Sequence, residues 1–495
     1  MSAAPPGASG AGTFDHLVVL MLENRSFDNL LGWLYEHDAP AQFLGRGEPT
    51  FRGVAGQDLG NDDGLTPNRR VPVGKAPYAT ADDMAQPCPD PGEYYNPHVV
   101  RQLFDVDVKG AVPPLPGTPT MSGFVKDYIA SIVAQEALDG VTPGYDRYKV
   151  IMDGFPPEAL PVLNGLARQF AVSDEWFCSV PSQTFCNRSF FHSAQSHGFV
   201  HNSDYIKWVE NTAPTVFEQL GDALGADRGW RVYWDEADLF PLTRLLHDGL
   251  RSREHDANFR HYSTFAADCA RGDLPAYTFI QPRIVMNHND MHPPIVLNQE
   301  VHSSALAGEL LVNAVYDAVR TSPAWMRTML VITFDEHGGT FDHWPPPKAV
   351  PPYASAPWPL EFGFAFDRLG VRVPAIFISP YVAPGTVVRA TGDAPFDHTS
   401  LIRTLGERWN LPPLTARDAA APGFAHVATL GDAEARRETP AMQPRPYTPV
   451  SDEQAHESLL NGMQLEFGRL ASHLLGRGVL GDAVKKVVHL LEALS

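Results

Sequence analysis

Two stretches decide how this chain is read: HLVVLMLENRSFDNLLG at residues 16–32 and MLVITFDEHGGTFDHWPPP at residues 329–347. Each opens with a short, unbroken apolar run, as expected of a parallel strand buried on both faces. Each run then passes directly into acceptor side chains, Glu23-Asn24 in the first and Asp335-Glu336 in the second. In an open parallel sheet ligands sit outside the carboxyl ends of the strands, so both pairs are expected to face one crevice. Oxygen ligands converging from two strand ends suit a divalent cation, Ca²⁺, Mg²⁺ or Mn²⁺, with Zn²⁺ also compatible.

Working outward, PAIFIS ending at Ser379 repeats the apolar-run pattern, and AVSDEWF around Val172 and AYTFI around Phe279 are weaker versions of it. Between them LAGELLVNAVYDAVR, Leu306 to Arg320, keeps a helical period. Strands alternating with helices predict an α/β fold, a mostly parallel sheet with helices on both faces. Pro/Gly/Asp-rich stretches near residues 38–95 and 345–360 read as insertions that cover a site. The expected organisation is a flexible N-terminus at 1–13, a catalytic domain at 14–437, a Pro-rich linker at 438–450 and C-terminal helices at 451–495. The last segment rests on two apolar stripes, Leu459 to Leu474 and Val484 to Leu491.

Composition narrows the function. Among 495 residues, 38 Lys and Arg against 58 Asp and Glu leave a net charge of −20, which disfavours nucleic acid as a partner. No apolar run approaches the roughly 20 residues that cross a bilayer. The N-terminus shows neither a basic region nor an apolar core of a signal peptide, so a cytoplasmic location is expected, with a secreted or periplasmic one open if that end was altered. The four cysteines form no CxxC pair, which argues against a thiolate zinc site.

A third element, SVPSQTFCNRSFFHSAQSHG at residues 179–198, offers hydroxyls at Ser182 and Thr184, an amide at Asn187 and a cation at Arg188. A hydroxyl on a loop entering a helix is a candidate nucleophile. The Gly338-Gly339 pair predicts a tight turn that brings Asp342 and His343 back beside Asp335 and Glu336. His292 and His343 are candidates for proton transfer or metal binding. The motifs GxSxG, HExxH and Walker A are absent, which removes the serine esterase, zincin and P-loop readings.

LMLENRSFDNLLG, Thr184-Phe-Cys-Asn187-Arg188 and FDEHGGTFDHWPPP together resemble the three signature blocks of the bacterial phosphoesterase family. That family holds phosphatidylcholine-cleaving phospholipases C and related acid phosphatases. The likeness spans residues 14 to about 407, including PDPGEYYNPHV and FDHTSLIRTL. It implies an alkaline-phosphatase-like fold, a divalent metal ion and a covalent phospho-enzyme. Carried over by residue, it implies metal ligands at Glu23, Asn24, Asp335 and Glu336, a metal-contacting nucleophile at Thr184, and phosphate contacts at His98, Asn187, His292 and His343. His343 is the expected proton donor to the leaving oxygen. One departure is clear: Cys186 stands where the family reads proline in T-x-P-N-R, leaving Ser182 as an alternative nucleophile. The expected substrate is a phosphoester, phospholipids included, with Trp176, Trp230, Trp234 and Trp344 available for a choline cage. Sulfatase or phosphonate hydrolase chemistry on the same fold, or a catalytically inactive binding protein, are the alternatives.

Overall fold

The computed structural model describes residues 14–447, apart from 77–89 and positions 109, 111, 116, 137, 139–140, 204, 239, 285–287, 295, 298–299 and 302. The stretches 1–13 and 451–495, expected to be a flexible end and two helices, lie outside the described residues.

Nine strands build the main sheet: β1 (His16–Leu22), β2 (Gln42–Leu44), β3 (Ala171–Ser173), β4 (Trp230–Trp234), β5 (Phe259–His261), β6 (Tyr277–Gln281), β7 (Thr328–Phe334), β8 (Ala375–Ile378) and β9 (Thr386–Val388). Their order across the sheet is β5-β4-β6-β1-β7-β8-β3-β9-β2. All run parallel except β8, which is antiparallel to both neighbours. The PAIFIS run is therefore a strand, as its composition predicts, but it travels the other way. Strands β1 and β7 lie side by side at the centre, paired from His16 with Thr328 to Leu22 with Phe334. All seven residues of β7 and six of seven in β1 are buried, which is why both read as unbroken apolar runs.

Two helix groups cover the sheet. Pro161–Gln169, Phe265–Arg271 and Ala305–Arg320 pack together, and Thr184–Ser193, Val216–Leu224 and Thr399–Trp409 form the second group. Ala305–Arg320 matches the periodicity read from the sequence, with Leu306, Val312, Val315, Tyr316 and Val319 inward. Of the Pro-rich stretch after residue 437, Thr439 and Pro440 accept from the Tyr316 hydroxyl, each at 2.9 Å, and Met442 joins the core. No described helix is long and apolar enough to cross a membrane.

The core also stores an acid-sensitive group. His247 is fully buried, both ring nitrogens lack a partner among the described residues, and burial, then Arg251, push its pKa down to about 3. Below the ordinary histidine value the unfolded chain binds a proton that the folded chain refuses, so stability falls as pH drops. His247→Leu should therefore lose about 2 kcal/mol less than the wild type between pH 7 and pH 5, measured by urea unfolding at the two pH values.

Candidate active site

Because β1 and β7 end in register, the residues that follow them leave the sheet edge together. The Asn24 amide N–H donates to Asp335 Oδ1 at 3.1 Å, and the Glu336 N–H donates to the same oxygen at 2.7 Å. Asn24 turns through a left-handed backbone conformation at φ +58°, which asparagine tolerates better than most residues. The Gly338 turn closes over Asn24 at φ +57°; a Cβ there would collide with the Asn24 backbone, so the close approach requires glycine.

The third element arrives as the helix Thr184–Ser193, with Thr184 at its first position. The Thr184 hydroxyl donates to Glu23 Oε2 at 3.3 Å. One turn on, Arg188 is buried and directs its guanidinium back at the carboxylates: Nε donates to Glu23 Oε1 at 3.0 Å, and Asp335 Oδ2 lies 3.5 Å away. Arg188 thus neutralises part of the acidic cluster. Asn187 is placed differently from its expected contact with phosphate. Its Nδ2 donates to the carbonyls of Val180, Ser182 and Gln183 at 3.0, 2.8 and 3.2 Å, and its Oδ1 accepts from the Val180 N–H at 2.9 Å. The amide is used up in shaping the turn that presents Thr184.

Ser182 is likewise committed, accepting from the Tyr95 N–H at 3.1 Å and donating to the Val200 carbonyl. Cys186 fills the proline position as a packed thiol, its S–H directed at the Gln183 carbonyl at 3.0 Å. Burial pushes its pKa far up, so it holds no reactive thiolate.

Among the described residues, three acceptor oxygens that follow β1 and β7, Asn24 Oδ1, Asp335 Oδ2 and Glu336 Oε1, are buried without a hydrogen-bond donor. Burial first, then Asp335, raises the Glu23 carboxyl well above the carboxylate range, with Arg188 opposing. Burial, then Glu93 and Asp335, does the same for Glu336. Donorless oxygens and mutually repelling carboxyl groups are the chemistry a divalent cation relieves, although the ligand atoms that already lie within 4.8 Å of one another here are those of Asp90, Glu93 and His292. The residues present fit that group.

Glu93 belongs to the same cluster, though in the sequence it stands out only as part of a longer block. Its carboxylate accepts from Asn24 Nδ2 at 2.6 Å and from Gln183 Nε2 at 2.8 Å. With Asp90 and His292 it offers ligand atoms within 4.8 Å of one another. His292 Nδ1 donates to the Pro293 carbonyl at 2.7 Å, which leaves Nε2 as a lone pair 2.9 Å from Asn24 Nδ2. Burial, then His288, lowers its pKa to about 4, so the ring is neutral.

His98 and His343 are less central. His98 Nδ1 pairs with Asp127 at 3.0 Å on the helix turn that follows Glu93. The Gly338-Gly339 turn carries Asp342 and His343 onto Asp28, where the sequence placed them beside Asp335 and Glu336. His343 Nδ1 donates to Asp28 Oδ2 at 2.6 Å, and Arg372 donates to Asp28 Oδ1 at 2.9 Å and to Asp342 Oδ1 at 3.0 Å. Asp28, Asp342 and His343 also group like ligands, but the Arg372 guanidinium already supplies their cation. Asp28 and Arg372 are distant in sequence from every apolar strand run except β1 and β8, and no local pattern marks them.

The four tryptophans form no cage. Trp176 and Trp230 are core residues, the Trp344 ring is covered by the Arg52 guanidinium at 4.2 Å, and Trp234 packs on His261.

The profile of the Phosphoesterase family matches residues 14–412. The chain belongs to the phosphoesterase family. The enzyme is 34% identical over 435 residues to non-specific phospholipase C4 of Arabidopsis thaliana, covering 86% of this chain and 73% of that one. To non-specific phospholipase C1 of the same plant it is 34% identical over 491 residues, covering 95% and 81%. Phospholipase C B of Mycobacterium tuberculosis is 25% identical over 450 residues, covering 82% and 75%. A solved protein of the alkaline phosphatase superfamily from Vibrio parahaemolyticus superposes on 53% of this chain and 64% of its own, with a TM-score of 0.31 and 9% identity. This phosphoesterase is a phosphoric ester hydrolase with a mostly parallel α/β fold.

Proposed function

We propose that this chain is a metal-dependent hydrolase of phospholipase C type that acts through a phosphothreonine at Thr184, with phosphatase action on soluble monoesters as the same chemistry on a smaller substrate. The observation that carries the reading is the Thr184 hydroxyl, at a helix N-terminus and 3.3 Å from Glu23, the carboxylate that also pairs with Arg188. The names of the plant and mycobacterial relatives support the phospholipid substrate.

Glu23, Asn24, Thr184, Asp335 and Glu336 would hold the divalent cation, whose chemistry when bound is to acidify the hydroxyl and offset charge on phosphoryl oxygens. Thr184 Oγ1 attacks phosphorus in line, and the bond to the leaving alcohol breaks as the new one forms. The helix N-terminus favours the anion at that position. His343, oriented through Nδ1 by Asp28, gives a proton to the leaving oxygen. Water then cleaves the phosphothreonine, the Nε2 lone pair of His292 accepts its proton, and Glu23 returns to Oγ1 the proton it took from the Thr184 hydroxyl at the attack. His98 and the turn braced by Asn187 position the substrate and the nucleophile. The sulfatase alternative gains no support, because Cys186 is a packed thiol rather than a residue presented to the cleft.

The test compares p-nitrophenyl phosphate and phosphatidylcholine with and without a strong chelator. Both should be hydrolysed, the lipid to diacylglycerol and phosphocholine, both activities should vanish with chelator, and one of Ca²⁺, Mg²⁺, Mn²⁺ or Zn²⁺ should restore them together. Activity indifferent to chelator would remove the metal from the mechanism.

A further inference from the structure

Among the described residues few large apolar side chains are exposed, and two of them sit together beside the candidate site. Tyr94 is 41% exposed and Phe362 47%. Between them lies His201, its ring centroid 5.3 Å from Tyr94 and 4.6 Å from Phe362, and Tyr95 approaches Phe362 at 6.4 Å. This aromatic rim is continuous with the site. Tyr94 follows Glu93, whose carboxylate holds Asn24 and Gln183, and Asn202 next to His201 accepts from the Phe185 N–H and donates to Gln183 Oε1.

The turn that presents Phe362 is held outward at some cost. Phe362 has φ +53°, a left-handed conformation that a bulky side chain disfavours, and Gly363 follows at φ +68°. Glu361 pins the turn: its carboxylate accepts from the Val200 and His201 N–H groups and from Lys207, and its own N–H donates to the Gly198 carbonyl. Nearly half of Phe362 stays exposed there, so a partner that covered the ring would add apolar burial. Beside it, Lys348 and Arg368 line a depression of about 350 Å³.

We infer that Tyr94, His201 and Phe362 form a contact surface for a zwitterionic lipid–water interface, which delivers phospholipid to Thr184. The inference rests on the phospholipase reading above. Aromatic rings with one polar edge favour the headgroup level of a bilayer, and Lys348 and Arg368 can meet lipid phosphates there. The net charge of −20 repels an anionic membrane, which selects a zwitterionic surface as the occupant.

The test uses flotation of the full chain with phosphatidylcholine vesicles, in a Thr184→Val background so that no lipid is consumed. Phe362→Asn keeps a residue that accepts the left-handed backbone and removes the ring. Vesicle partitioning should fall about tenfold, the factor expected from losing burial of one phenyl ring. In the otherwise native enzyme, Phe362→Asn should leave p-nitrophenyl phosphate turnover unchanged and the melting temperature no lower. Unaltered vesicle binding, or an equal loss of p-nitrophenyl phosphate turnover, overturns the inference. If vesicle binding depends on Phe362 but the native enzyme hydrolyses no phosphatidylcholine, the contact surface stands and the phospholipase reading fails.

Discussion

Thr184→Val should abolish turnover, lowering kcat by about 10⁴-fold or more, the scale on which removal of a covalent nucleophile is felt. Valine keeps the branched shape at the head of the Thr184–Ser193 helix and deletes only the oxygen that donates to Glu23. The fold should tolerate it, since the helix is held by Asn187 and Asn202 rather than by this hydroxyl. Rapid quenching during native turnover should recover phosphate on the peptide that contains Thr184. Ser182→Ala is the contrasting variant. It should leave phosphorylation intact and cost about 1–3 kcal/mol of stability, because it strips the Tyr95 N–H of its acceptor in a buried place. Phosphate on Ser182, or no covalent phosphate with inversion at phosphorus, would refute the assignment.

Asp335→Asn should be inactive for a different reason, and its signature is a reversal in stability. Asp335 Oδ1 accepts two backbone N–H groups, which the asparagine oxygen can still serve. The change removes one of the two carboxyl groups, Glu23 and Asp335, that share the Arg188 guanidinium, and with it a charge that repels both Glu23 and Glu336. In chelator the variant should therefore melt no lower than the wild type. With the activating cation added, the wild type should gain stability by ligand linkage and the variant should gain little. Calorimetry across a metal titration reads both effects. A variant that binds the cation as tightly as the wild type would remove Asp335 from the ligand set.

The two central strands were legible because burial on both faces leaves an unbroken apolar run, and their acidic ends were legible because nothing apolar follows. Helix Ala305–Arg320 was legible by its period. Strands β2, β5 and β9, each three residues at or near a sheet margin, carry too little pattern to detect. Strand β4, WRVYW, was within reach of its aromatic and β-branched content and was missed. Within the site, two acidic strand ends together pointed to Glu23 and Asp335, whereas a hydroxyl at a helix start is usually a cap, so Thr184 was singled out by the family resemblance. Sequence did not separate Asn187 from a phosphate ligand, since an amide that braces its own turn looks the same as one that faces a substrate. Nor did it place His343, whose position depends on Asp28 and Arg372, 315 and 29 residues away.

The direction of β8 decides where this enzyme can vary. Had that strand run with its neighbours, the chain leaving β7 would have had to cross to the far margin before β8 began. Instead, residues 335–374 stay on the catalytic side throughout, and that single excursion carries Glu336, His343, Phe362 and Arg372. The segment 379–385, after β8, lies at the opposite end of the sheet. Insertions or recombined loops within residues 345–370 should therefore change which substrates and surfaces the enzyme accepts, while changes of similar size at 379–385 should alter neither. One reversed strand gathers the chain's capacity for new specificity into one exchangeable stretch.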